Sequence, residues 1–289
     1  MSQPLDPRLH AYRPDLAAES LKGRVDVPRF SAGRPAQVVR GVADLKRRPE
    51  AAAPLDTQLL AGEIVTVYDE ADGWAWVQNR TDDYVGYIRD TALGSDVHVT
   101  SHTVRVLRTF LYPEPELKAP PRDALTMTSP VAVVGSEASF SEVRFGAPWQ
   151  NGWIYTAHLA ADGDVAPDHV ETALAFLNTP YLWGGKSSLG LDCSGLIQVA
   201  LMRAGVACPR DTDMQADAVG VALPADTVPR RGDLVYFPGH VAIALDDTMV
   251  VNANAHAMLV SIEPLADLEA RVKQETGGTG ITVVRRLAS

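Results

Sequence analysis

Two hydrophobic rhythms divide the chain. From about residue 36 to residue 160 apolar and polar positions alternate at period two, as in Ile64-Val-Thr-Val-Tyr and Trp74-Ala-Trp-Val, the mark of strands with one buried face. From about Val165 the spacing lengthens to helical periods broken by glycine-rich turns, so a boundary is expected between Ala160 and Pro167. The first 35 residues follow neither rhythm. They are rich in Pro, Arg and Asp and read as an arm, with a short helix expected over Asp15–Leu21 and stopped by Gly23.

The alternating region repeats itself. Displaced by 66 residues, Val38 to Leu93 aligns without a gap onto Val104 to Leu159, and 13 of 56 positions are identical, among them Leu45/Leu111, Pro54/Pro120, Val67/Val133, Gly86/Gly152 and Ile88/Ile154. Units of roughly 60 residues made of short strands between turns predict small barrels. The predicted organisation is an arm (1–35), two small all-β domains (36–95 and 96–160) and a larger domain from 165 to 289.

In that last domain, Asp168 is placed to cap a helix with Val170, Leu174 and Leu177 on its buried side, closed by Thr179-Pro180. The loop Tyr181-Leu-Trp-Gly-Gly-Lys-Ser-Ser-Leu-Gly-Leu-Asp leads into a second helix, whose apolar face is Leu196, Ile197, Ala200, Leu201 and Ala204 and whose stop is Gly205. Cys193 falls in the first turn of that helix, off the stripe, where unpaired N–H groups and the positive end of the dipole favour thiolate. Cys208, in the loop Gly-Val-Ala-Cys-Pro, is read as an inert core thiol.

A cysteine nucleophile needs a base and an orienting partner. Strand-like segments follow at Arg231-Gly-Asp-Leu-Val-Tyr-Phe, Gly239-His-Val-Ala-Ile-Ala-Leu and Met249-Val-Val-Asn-Ala-Asn-Ala-His. A hairpin centred on Asp246 pairs positions summing to 492, which sets His240 opposite Asn252 on one face. His256, four residues further on, competes for the third place.

Composition narrows the partners. The chain has 289 residues, 46% hydrophobic and 21% charged, in the ordinary globular range, with a net charge of −10. An excess of acid repels phosphate backbones and anionic lipid, so neither nucleic acid nor a membrane is an expected partner. No run approaches the length of a membrane span, no signal peptide is visible, and two cysteines make no disulfide framework, so the cytoplasm is the expected location. No CxxC or HExxH pattern offers a metal site, and no cofactor is expected. The sequence sets no oligomeric state.

The motifs Tyr181-x-Trp-Gly-Gly, Asp192-Cys-Ser-Gly-Leu and Gly239-His-Val, in this order, resemble the NlpC/P60 family of cysteine peptidases, and the repeated barrels resemble bacterial SH3-like domains in tandem. The resemblance implies a multidomain fold, two small all-β SH3-like barrels followed by an α+β papain-like catalytic domain. It implies Cys193 as nucleophile, His240 as general base and then acid, and Asn252 as the third polar residue, a place often held by histidine in the family. The domain order is further similar to the γ-D-glutamyl-L-diamino acid endopeptidases of murein-peptide recycling, a group also called dipeptidyl-peptidase VI, in which the first SH3-like domain covers the cleft and selects substrates with a free N-terminal L-Ala. That resemblance implies a murein stem peptide, L-Ala-γ-D-Glu-diamino acid, as substrate. It implies Glu63, Tyr84 and Asp192 as holders of the ammonium group, with Tyr181, Ser194 and Thr212 lining the same pocket. Glu63 and Tyr84 align with Ser129 and Gln150 in the second copy, and this lack of recurrence points to function rather than barrel structure. Two alternatives stand beside this reading: an exported wall hydrolase anchored by the SH3-like pair, and a binding module without catalysis.

Overall fold

The computed structural model describes residues 5–147 and 151–287. The chain divides into two compact units, Met1–Asp162 and Gly163–Ser289.

In the first unit the repeat is visible strand by strand. The strands Ile64–Ala71 and Val85–Arg89 recur 66 positions on as Pro130–Glu137 and Asn151–Tyr155, and the 3-10 turn Asp90–Ala92 recurs as Thr156–His158. The irregularity in the ladder recurs too, between Val67 and Asp69 in the first copy and between Val133 and Gly135 in the second. Even the left-handed turn residues correspond: Gly62 and Asp72 have φ of 85° and 52°, and Thr128 and Ala138 have 69° and 48°. The first copy tolerates this with a glycine, the second places a threonine there at a steric cost. Each copy has its own core cluster, with Ala61 of the first copy joining that of the second. Val38, Leu45, Leu59, Val65, Val77 and Ile88 fill the first, and Val104, Leu111, Leu125, Val131, Val143 and Ile154, their counterparts in register, fill the second. Gln150 lies outside the described residues.

The arm differs from expectation. Where a helix was predicted over Asp15–Leu21, Leu16–Ala18 is a strand and Glu19–Leu21 a single 3-10 turn. Leu16–Ala18 pairs antiparallel with Tyr12–Arg13 and parallel with Phe30–Ser31, and Leu16, Ala18 and Leu21 bury against Trp76 of the first barrel. Packing against a neighbour overrides helix propensity in so short a segment.

The second unit is a six-stranded antiparallel sheet in the order Val221–Leu223, Val283–Arg286, Leu234–Phe237, His240–Ala244, Met249–Asn254, Leu259–Pro264. Four helices accompany it: α1 (His169–Leu174), α2 (Cys193–Arg203), α3 (Thr212–Ala218) and α4 (Leu265–Thr276). Asp168 caps α1 as expected, its carboxylate accepting the Val170 N–H at 2.8 Å. The buried side of that segment is Val170, Ala173 and Phe176, however, and Leu177 is 36% exposed, because α1 ends at Leu174 and the following turns rotate the stripe. Helix α2 is buried on every side from Cys193 to Leu201 and packs on the strands His240–Ala244 and Met249–Asn254. The cysteine is therefore buried, not set off a half-exposed stripe. Gly205, at φ 75°, ends the segment as predicted. The strands Val221–Leu223, Leu259–Pro264 and Val283–Arg286 are sheet members that the sequence pattern did not announce.

Candidate active site

Asp192 opens α2. Its Oδ1 accepts the Gly195 N–H at 2.7 Å, a side-chain cap on the first turn, and Oδ2 accepts the Gly184 N–H from the preceding loop at 2.8 Å. The fully buried Arg210 donates to both oxygens, Nη1 to Oδ1 at 2.9 Å and Nη2 to Oδ2 at 2.7 Å. A bidentate pair of this kind is among the stronger polar contacts. Ser194 joins the cluster, its hydroxyl 3.3 Å from Asp192 Oδ1 and accepting from Arg210 Nη1 at 2.8 Å. Asp192 was expected to hold a substrate ammonium; the structure gives its oxygens four nitrogen donors already, so its first task is to fix the loop and the helix start.

Cys193 follows immediately. Its Sγ lies 3.8 Å from the Thr212 hydroxyl at the start of α3. Burial, and then the negative charge of Asp192, push the thiol up to about 11, while Thr212 and the backbone N–H groups of Ser194 and Val241 work in the opposite direction. Burial thus works against the thiolate that the helix start was expected to favour. Tyr181, half-buried, is near enough for Cys193 and Asp192 to add to the burial that drives its phenol to about 12. Cys208 is buried with its thiol against the Pro209 carbonyl, 3.4 Å away, in keeping with a structural role.

Val241, whose N–H reaches the Cys193 sulfur, follows His240 in sequence at the start of its strand. The imidazole Nε2 lies 3.2 Å from Asn252 Oδ1. The hairpin register differs from the expected one: Ile243 pairs with Val251 and Ala244 with Val250, so partners sum to 494, and the turn is closed by the Leu245 N–H bonding to the Met249 carbonyl. A shift of two preserves the face, and His240 reaches Asn252 as a diagonal neighbour rather than a direct one. Asp246 contributes by accepting three bonds on Oδ1, from Thr248 N, Thr248 Oγ1 and Met249 N. His256 is exposed in the turn beyond Asn254, whereas Asn252 is the candidate whose side chain meets His240. Burial holds the His240 pKa below its ordinary value of 6.5, against the smaller upward pull of the Asn252 bond.

Behind Asn252 stands a group that the sequence reading did not find. Asn252 Nδ2 donates to Glu263 Oε1 at 2.9 Å, Asn254 Nδ2 donates to the same oxygen at 3.2 Å, and Arg271 of α4 spans both oxygens at 2.9 and 2.8 Å. No short motif links these residues; only the pairing of Met249–Asn254 with Leu259–Pro264 assembles them.

Glu63 and Tyr84 belong to the first unit. Glu63 is buried there, its Oε2 accepting the Leu60 N–H at 2.8 Å across a tight turn. Tyr84 sits in the first barrel's core. The same turn exists in the second copy, where the Ser129 N–H bonds to the Thr126 carbonyl, but the shorter side chain makes no equivalent clasp. Glu63 therefore has a structural task in its own copy, and its absence from the other copy does not by itself argue for function. Among the described residues, no group of three or more His, Cys, Asp and Glu side chains is arranged to hold a metal ion.

The model of the NlpC/P60 family matches residues 178–273, and that of the bacterial dipeptidyl-peptidase SH3 domain matches residues 45–93. The chain is 27% identical over 276 residues to a dipeptidyl-peptidase 6 from Lysinibacillus sphaericus, an alignment covering 86% of this chain and 98% of that one. It is 31% identical over 193 residues to a γ-D-glutamyl-L-lysine dipeptidyl-peptidase from Bacillus subtilis strain 168, with 63% of this chain and 64% of the relative covered. Among solved structures, an NlpC/P60 family protein from Bacillus cereus ATCC 10987 superposes with a TM-score of 0.75 at 20% identity, over 89% of this chain and all of the other, and shows the same fold. The chain thus carries an NlpC/P60 family domain, preceded in sequence by a bacterial SH3 domain.

Proposed function

We propose that the protein is a cysteine endopeptidase that cleaves the bond between γ-D-Glu and the diamino acid of murein peptides bearing a free N-terminal L-Ala. The observation that carries this reading is the buried Cys193 at the start of α2, held by Thr212 and the Val241 N–H, with the His240–Asn252 pair beginning at the adjoining residue. With the thiol raised and the imidazole lowered, both groups rest uncharged near neutral pH, and the imidazole is free to act as base. His240 takes the thiol proton as Cys193 Sγ attacks the γ-carbonyl carbon, and N–H groups at the helix start stabilise the developing oxyanion. Return of that proton to the leaving amine breaks the C–N bond and leaves a thioester. Water, deprotonated by His240, then hydrolyses it, releasing L-Ala-D-Glu and regenerating the thiol.

The second copy of the repeat is read as an SH3-like barrel like the first, on the recurrence of its strands, ladder irregularity and left-handed turns. A cytoplasmic location and a place in murein recycling complete the proposal, as does the assignment of the ammonium to Glu63, Tyr84 and Asp192, which rests on the resemblance alone. Hydrolysis of L-Ala-γ-D-Glu-meso-diaminopimelate beside its N-acetylated form, with mass spectrometry to locate the cut, tests it. Cleavage of the free-amine peptide alone supports the full proposal. Equal cleavage of both removes the amine requirement, and no cleavage of either removes the activity.

A further inference from the structure

The acceptor set around Asn252 decides the protonation of the base. Glu263 in the ion pair with Arg271 is a carboxylate, and a carboxylate only accepts. The amide of Asn252 must therefore turn its NH2 to Glu263, at 2.9 Å, and its carbonyl oxygen to His240, at 3.2 Å. The reverse orientation would set Asn252 Oδ1 against Glu263 Oε1, two acceptors at hydrogen-bond distance with no proton between them. With Oδ1 facing the ring, Nε2 must carry the proton, and the lone pair of the neutral imidazole falls on Nδ1. His240, Asn252 and Glu263 share one face of the sheet, since Ala244 pairs with Val250 and Val250 with Glu263.

We propose that Glu263, braced by Arg271, is a positioning residue for the catalytic base: its carboxylate locks the Asn252 amide and thereby holds His240 in the tautomer whose Nδ1 accepts the thiol proton. The proposal rests on the reading of His240 as the base, but it makes a statement about the ring that needs no substrate. Asn254 and Arg271 secure Glu263 itself, one donating at 3.2 Å and the other to both oxygens. A carboxylate so placed sets a proton two residues away without touching the reacting atoms.

The test uses the full-length protein with 15N-labelled histidine. In the unaltered protein above the His240 titration, the ring shows a protonated Nε2 and an unprotonated Nδ1. In Glu263→Gln the side chain presents either an oxygen or an NH2, the lock is lost, and the tautomers mix. Cleavage of the free-amine peptide then falls about tenfold in kcat with KM kept, because ground-state binding is not involved. Glu263→Leu lowers kcat further, to about one-hundredth. The variant Glu263→Leu/Arg271→Leu removes the pair without stranding a buried charge. If the pair only tied the strand Leu259–Pro264 to α4, this double variant would regain both turnover and a single tautomer, and that result would overturn the proposal. An unchanged tautomer in folded Glu263→Gln would overturn it equally. Should the peptide not be cleaved by any form, the activity reading fails, while the 15N signals still decide the positioning role.

Discussion

Cys193 and His240, the proposed nucleophile and base, are each backed by an arginine–carboxylate pair, and the two pairs are built differently. Asp192–Arg210 is deeply buried, with side chains 11% and 1% exposed, and lies next to Cys193 in sequence. Glu263–Arg271 is somewhat more exposed, at 15% and 20%, and reaches His240 only through Asn252. The first pair shapes backbone: it pins the Gly184 loop and the start of α2. The second pair shapes a proton position. Loss of the first should therefore appear mainly as stability and loss of the second mainly as rate.

The largest effect expected is on chemistry at the nucleophile itself. Cys193→Ala should lower turnover by at least about a thousandfold while the protein remains folded, read by peptide hydrolysis beside thermal unfolding. Next comes the buried pair. Arg210→Met strands the Asp192 carboxylate in the interior and should cost roughly 3 to 5 kcal/mol of stability, and Arg271→Met, at its somewhat more exposed site, should cost less. Equal losses in denaturant melts would erase the distinction between the two pairs. On the base side, Asn252→Ala should lower kcat about a hundredfold and His256→Ala should leave it unchanged. The reverse order would return the third place to His256.

The smallest effect, and the one that sharpens the picture most, is in the pH profile. His240 is held below 6.5, so kcat/KM should rise to its plateau with a midpoint below that value and lose activity as pH falls through it. The Cys193 thiol is raised to about 11, so no descending limb should appear before about pH 9. A fall between about pH 7 and pH 9 would instead indicate a preformed thiolate–imidazolium pair, and the dipole argument would be restored.

What the sequence could announce follows the same division. The start of α2, Cys193 in its first turn and the histidine and asparagine of the neighbouring strands were legible because each sits within a short motif or a short hairpin. The hairpin slipped by two because the turn centres on Asp247, not Asp246, and side-chain parity alone cannot tell those apart. Arg210 stayed hidden as the partner of Asp192, since the loop between α2 and α3 that carries it has no periodicity to read. Glu263 stayed hidden for a stronger reason: its strand, Leu259–Pro264, alternates partly exposed positions with a single fully buried one, Val260, and signals little by itself. The repeat in the first unit was the most legible feature, because 66-residue spacing survives where individual residues diverge. The arm was the least, since an isolated short segment takes its conformation from the surface that receives it.

The central claim is covalent catalysis at Cys193, and an acid-quenched mixture of protein and L-Ala-γ-D-Glu-meso-diaminopimelate, followed by mass spectrometry of the protein, addresses it most directly. The account predicts an L-Ala-D-Glu acyl group on the peptide containing Cys193, none on Cys208, and loss of both adduct and cleavage in Cys193→Ala. Cleavage that persists in Cys193→Ala with no adduct on the unaltered protein would contradict it.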